Sequence, residues 1–272
     1  VSRQLVGLAL NNYPTVAEGS GRKIRELAQK LGYQPNHAAR ALVTGRTQAI
    51  AIRISEPYTP YCTRVIRSIS TQLKQSGFEM IVTDLGVHGS QDEDVFFSRW
   101  PVDGVLVVDA PWHVNDYFEA HPNRRLPCVS MGSYCSDNTD SVRLDLRPAA
   151  IKAVRHLIAT SRRRIAFMST PIQDGRRKGY LSAMRAAGLK PELIAMEEGP
   201  NLRSKSRHFI SQYAREHGCP EGIFCQNDDV AIGVCRGLRD LGFRVPEDAA
   251  VVGCDAIEDT EYLECPITTI SY

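Results

Sequence analysis

No stretch of this 272-residue chain approaches the run of about 18 apolar side chains that a membrane-spanning helix needs. No signal peptide opens the sequence either. The first residue is Val rather than Met, so a chain clipped at its N-terminus is expected, where an export signal could have been lost. Eight cysteines occur (Cys62, Cys128, Cys135, Cys219, Cys225, Cys235, Cys254 and Cys265), but none forms Cys-x-x-Cys and most sit in apolar runs. That argues against a metal site or a disulfide framework and for reduced, mostly buried thiols in a cytoplasmic protein. Gly-x-Ser-x-Gly and His-Glu-x-x-His are both missing. "EGSGRK" (18–23) has the wrong spacing for a phosphate loop, and no strand precedes it. The seven histidines are scattered. These absences assign no catalytic residue, metal or cofactor, although an enzyme without a linear signature is not excluded by them.

What is present is ordinary in bulk and uneven in detail. Apolar content of 43% and charged content of 24% suit a globular protein with one large or two medium domains. Residues 1–47 carry Arg3, Arg22, Lys23, Arg25, Lys30, Arg40 and Arg46 against Glu18 and Glu26, a net charge of +5 within an overall +2. A basic end on a mildly acidic body suggests a polyanion partner for that end. A solvated charged helix is the alternative, and charge alone does not choose between them.

Periodicity divides the chain further. "SRQLVGLALNN" (2–12) reads as a short helix with Leu5, Val6, Ala9 and Leu10 on one stripe and Ser2 as its cap. Thr15 and Glu18 have capping-box spacing ahead of a helix that carries Ile24, Leu27, Ala28 and Leu31 on one face and stops at Gly32. From residue 48, strand-like runs at 48–54, 78–84, 103–109, 127–131, 164–169, 192–196, 222–226 and 250–255 alternate with helical stretches. Those lie near 60–76, 91–100, 112–120, 147–160, 175–187, 203–217 and 228–241. Gly77, Gly188, Gly218 and Gly242 stand where C-cap glycines belong. Such alternation predicts an α/β fold of parallel sheets flanked by helices, with ligands at the carboxyl ends of strands. The polar stretch 132–150 reads as the crossing between two α/β halves, and a cleft between them would gather the strand ends.

"NHAARALVTG" (36–45) is a helix of marginal length. Asn36 can cap it, and small residues surround the large Leu42. Eight residues hold a helix poorly in water, because nucleation is costly and few bonds repay it. Against duplex DNA, Leu42 could wedge between base steps while Arg40 and Arg46 meet phosphates. As a mere connector, the segment would instead pack Leu42 on a neighbouring domain.

"VSRQLVGLALNN", followed by "VAEGSGRKIRELAQKLGYQPNHAARALVTGRTQAIAI", closely resembles the lactose-repressor/galactose-repressor family of bacterial transcription regulators. "LGYQPNHAARAL" is its most specific part. "TPYC" (59–62) sits where that family has an Asn-Pro-aromatic-aromatic loop. "LDLRPAAIKAVRHLI", "RRRIAFMS", "GRRKGYLSAM", "CQNDDVAIG", "VVGCDAIED" and "PITTI" then follow in the family's order.

The resemblance implies a DNA-binding region at 1–47, made of an incomplete helix-turn-helix (1–33) and a hinge helix (36–44). It implies a periplasmic-binding-protein-like core with an N-subdomain at 48–146 and a C-subdomain at 147–272, the last part of the family core being absent. By that likeness the chain is a repressor of cytoplasmic location and no catalytic activity. It works as a homodimer or higher oligomer on a pseudo-palindromic double-stranded operator, under control of a small-molecule effector such as a sugar. A solute-binding protein without DNA binding is the alternative.

The implied DNA-binding residues are Ser2, Arg3, Gln4, Asn11, Asn36, Ala39, Arg40 and Leu42, with Arg3 and Gln4 facing base edges in the major groove. The implied effector-binding residues are Tyr61, Asp145, Arg176, Asn227 and Asp255. Each has a structural alternative: a surface arginine at 176, a helix cap at Asn227, a turn cap at Asp255, a helix start at Asp145, a core position for Tyr61. Gly7 and Leu8 depart from the usual recognition helix. Cys62 and Cys254 stand where the family carries aromatics, which is expected to reshape the pocket.

Overall fold

The computed structural model describes residues 2–10, 13–33, 37–54, 57–84, 101–110, 126–171 and 174–272. Two compact units emerge, Val1–Thr47 and Gln48–Tyr272.

The first unit is helical. Helix α1 spans Arg3–Leu10, and Ser2 Oγ accepts the Leu5 N–H at 3.2 Å, as the cap reading expects. Ala9 is its buried residue, and its carbonyl accepts from Arg25 Nη1 at 3.2 Å. Helix α2 spans Glu18–Lys30 and starts from Ala17, with no side-chain cap. The Thr15–Glu18 capping box is therefore not formed. Thr15 lies in a turn closed by Val16 N–H on the Tyr13 carbonyl, so the helix begins two residues later than the box requires. Glu18 instead sits in the first turn, where its charge suits the helix dipole. The helix ends at Gly32, whose positive φ lets Tyr33 N–H reach back to the Ala28 carbonyl. Helix α3 spans His37–Thr44 and stops at Gly45, also at positive φ. Leu42 is 88% exposed on it. Asn36, the expected cap, and Asn11 lie outside the described residues.

The second unit holds two five-stranded, all-parallel sheets. In the first, the order is β2 (Glu79–Asp84), β1 (Ala49–Ile54), β3 (Gly104–Val108), β4 (Cys128–Gly132) and β5 (Asp140–Arg143). In the second it is β10 (Thr268–Ile270), β9 (Ala250–Cys254), β8 (Gly222–Cys225), β6 (Ile165–Ser169) and β7 (Glu192–Ala195). Helix α4 (Pro60–Gln75) lays Cys62, Val65, Ile66, Ile69 and Leu73 on Ile52, Ile54 and Val108 of the first sheet.

Around the second sheet, α5 (Arg147–Ala159) and α6 (Gly175–Ala186) cover the face of Phe167 and Phe224. The other face, with Met168 and Ile223, is covered by α7 (Leu202–His217) and α8 (Asp228–Asp240). Strands β6 and β8 are buried on both faces, which is why they read as unbroken apolar runs. Helices α7 and α8 meet at Gly233. A Cβ there would stand 1.9 Å from Ser206 Oγ and 2.2 Å from the Arg203 carbonyl.

Two strands escaped the sequence reading. The 132–150 stretch is not only a crossing, because it contains edge strand β5, paired with β4 from Val129↔Asp140 to Gly132↔Arg143. All four β5 residues are exposed, so no burial alternation marks them. Strand β10 has only three residues. The helices expected near 91–100 and 112–120 lie outside the described residues. Among the described residues no helix is long and apolar enough to cross a membrane.

Candidate functional site

The carboxyl ends of the parallel strands converge on a cavity of about 490 Å³. Its lining draws Thr59 and Tyr61 from the start of α4, Asp109 from the end of β3 and Tyr134 from the loop after β4. The second sheet contributes Thr170, Arg176, Gln226, Asn227 and Asp255. Both halves of the core thus supply polar groups to one space.

Arg176 is set by its helix start. Asp174 N-caps α6 by accepting from the Arg176 and Arg177 N–H groups, and its other oxygen pairs with Arg176 Nε at 2.5 Å. Arg176 Nη1 donates to the Gln226 carbonyl at 2.7 Å. Burial works against the guanidinium charge, and Asp174 more than offsets it, so Arg176 is held firmly protonated. Gln226 turns its Oε1 to the Thr170 N–H and hydroxyl, at 2.7 and 3.0 Å. Asn227 Oδ1 accepts the Val230 N–H at 2.9 Å, so this residue both caps α8 and lines the cavity.

Asp255 follows β9 at φ 115°, with Ala256 at φ 50° beside it. Two consecutive non-glycine residues at positive φ are strained and need external support. Asp255 N–H binds the Ile270 carbonyl, and Ala256 N–H binds Thr269 Oγ1. Buried Asp228 accepts from Thr269 Oγ1 at 2.6 Å and from Ile257 N–H at 2.9 Å. From α4, Arg64 donates to the Ala256 carbonyl at 2.8 Å and to the Asp255 carbonyl. The Asp255 side chain accepts from Tyr272 Oη at 2.7 Å. Burial pushes its carboxyl up to about 7, against the pull of that hydrogen bond and of Arg176.

Asp109 sits opposite. Its Oδ1 accepts from the Ser133 and Tyr134 N–H groups at 2.6 and 3.1 Å. Burial raises it above the ordinary carboxylate range despite those bonds. The Tyr61, Tyr134 and Tyr272 phenols are all raised, chiefly by burial.

Tyr61, Arg176, Asn227 and Asp255 all line this cavity. Asp145 does not. It is exposed, and Oδ1 accepts the Arg147 N–H at 2.9 Å, so it starts α5 rather than lining the cavity. Cys62 lines the cavity, whereas Cys254 is fully buried in the sheet core and does not. Asp109, Tyr134, Thr170, Gln226 and Tyr272 went unread as site residues. Asp109 and Gln226 could have been found, since each ends an expected strand, where parallel sheets bind ligands. In the first unit, Ser2, Arg3, Gln4 and Arg40 are exposed along with Leu42, and Ala39 lies within α3. Among the described residues no group of three His, Cys, Asp or Glu could hold a metal ion.

The periplasmic binding protein-like domain matches residues 154–272. The chain is 25% identical over 280 residues to the HTH-type transcriptional repressor PurR of Proteus mirabilis, covering 99% of this chain and 82% of that protein. It is 24% identical to the repressor CytR of Escherichia coli K12, covering all of this chain and 81% of the relative. Among solved structures, the Lac repressor bound to ONPG in its repressed state superposes with a TM-score of 0.83 at 23% identity, over 100% of this chain and 84% of that one. A LacI-family regulator from Arthrobacter in complex with lactose gives 0.72 at 25% identity, over 82% of this chain and 84% of that one. The chain shares the fold of the Lac repressor, and along nearly its whole length it is similar to transcriptional repressors of the lactose-repressor/galactose-repressor family.

Proposed function

We propose that the protein is a sequence-specific transcriptional repressor whose operator affinity is set by a small molecule, a sugar or related metabolite, bound between the two core halves. The observation that carries this reading is the polar cavity, with Arg176 at a helix start and Asn227 and Asp255 just past strand ends, in a chain that also bears a basic helical unit ending in an exposed leucine. The repressors PurR and CytR match over both parts, which supports it. A solute-binding protein would have no use for residues 1–47.

In this reading Ser2, Arg3 and Gln4 meet base edges in the major groove. Asn11, Asn36, Ala39 and Arg40 position the backbone, and Leu42 enters the minor groove. Two copies act together on a pseudo-palindromic site, in the cytoplasm. The effector needs only to bind one arrangement of the core halves better than the other, with a coupling of about 1–3 kcal/mol per site.

The test is selection of duplexes from a randomised pool by the full chain and by Leu42→Ala. Enrichment of a two-fold symmetric sequence by the first, with weakened capture by the second, is the expected result. No enrichment by the first, or equal capture by both, would overturn the proposal.

A further inference from the structure

The cavity's charge balance says more about the ligand, granted that the cavity is the effector site. Among the described residues four carboxylates line it, Asp109, Glu198, Asp229 and Asp255, against the single cation Arg176. That cation is already matched: Asp174, with a side chain only 1% exposed, pairs with it at 2.5 Å. Asp229 is matched as well, by Arg203 at 2.5 Å. Asp109 and Asp255 form no ion pair among the described residues. Oδ1 of Asp109 takes two backbone N–H groups. The two acids come from opposite halves, after β3 and after β9, and both act electrostatically on the Tyr61 hydroxyl.

A second, independent observation concerns the walls. Tyr61, Tyr134 and Tyr272 all line the same space, and the Tyr61 and Tyr272 rings meet edge-on with centroids 6.2 Å apart. Aromatic surface beside buried carboxylates is an environment that favours an organic cation, through charge-assisted hydrogen bonds and ring quadrupoles. A neutral polyol could use the hydrogen bonds but would bring no charge to two buried acids that share, among the described residues, the single lining cation Arg176 with Asp174. An anionic ligand would sit among carboxylates, with only a guanidinium that Asp174 already holds.

We infer that the cleft takes a small hydroxyl-bearing ligand with a protonated amine, seated between Asp109 and Asp255 against the tyrosine walls. The cavity of about 490 Å³ has room for a sugar- or nucleoside-sized molecule of this kind.

Matched probes that differ only in charge test this on the full chain in amine-free phosphate buffer. They are glucosamine, glucose and glucose 6-phosphate, together with Tris and its neutral isostere pentaerythritol. Melting temperature and calorimetric affinity are read for the wild type, Asp109→Asn, Asp255→Asn and Arg176→Ala. The amines should raise the melting temperature and bind about tenfold or more tighter than their neutral partners. In either Asn variant that advantage should shrink to less than about twofold. Two Asn variants at separate loops guard against one of them failing to fold.

Neutral or phosphorylated probes binding as tightly as the amines would overturn the inference. So would an amine advantage that survives both Asn variants, or no response to any amine. A neutral or phosphorylated probe that binds and is lost in Arg176→Ala would remove the amine yet leave the effector-site reading standing. The DNA selection tests the regulator reading separately.

Discussion

Replacing Asp255 by Asn should change how stability depends on pH, and the size of the change follows from the site. In the folded protein the carboxyl is pushed up to about 7, from an ordinary value of 3.8. The folded state therefore binds this proton more tightly than the unfolded chain does. The resulting stability is fully present below about pH 4 and is lost as pH rises through 7. Every tenfold gain in proton affinity on folding corresponds to about 1.36 kcal/mol. Between pH 5 and pH 8 the wild type should lose about 2–3 kcal/mol through this one group. Asn keeps the shape and can still accept from Tyr272 Oη, but it does not titrate. Urea unfolding of both proteins at pH 5 and pH 8 isolates the effect, because other groups, Asp109 included, cancel in the double difference. The variant should be less sensitive to the rise in pH by that amount. Parallel pH profiles for the two proteins would refute the claim that burial holds the Asp255 carboxyl above its ordinary range.

Other changes probe other parts of the account. Gly233→Ala forces a Cβ into Ser206 Oγ and the Arg203 carbonyl, so the α7–α8 contact should lose about 1–3 kcal/mol or more, read from the urea midpoint. Arg64→Ala removes the fork that holds the Asp255 and Ala256 carbonyls from the other half of the core. Spin labels on the two halves should then show a broader distance distribution, which Arg64→Lys restores in part; an unchanged distribution would deny Arg64 that positioning role. Leu42→Ala should leave stability within about 0.5 kcal/mol of the wild type, since the side chain is 88% exposed, while weakening capture of the selected duplex.

Much of this architecture is legible in the sequence because parallel sheets write it plainly. Strands such as Ile165–Ser169 are buried on both faces and read as apolar runs. The glycines at 77, 188, 218 and 242 all adopt the positive φ that ends a helix. What escaped has physical reasons. Strand β5 buries nothing, so its four residues resemble a loop. Thr15 matched a capping pattern, but the turn at Tyr13–Val16 uses it before the helix starts. At the site, Arg176 and Asp255 came from motif resemblance, and nothing in the sequence shows the carboxyl environment that perturbs Asp255. Asp145 lay close in motif space yet spends its carboxylate on the Arg147 N–H. Tyr134 and Tyr272 reach the cavity from a turn and from beyond a three-residue strand, neither of which carries a periodic signal.

The most direct measurement is a fluorescence-anisotropy titration of the selected duplex with the full chain, with and without a cleft ligand found by thermal shift, repeated with Arg176→Ala. Coupling of about 1–3 kcal/mol predicts that the ligand changes the wild-type dissociation constant by about 5- to 150-fold, in one direction only, and leaves Arg176→Ala unmoved. The same dissociation constant with and without ligand, for a wild-type protein that demonstrably binds both, would contradict the account.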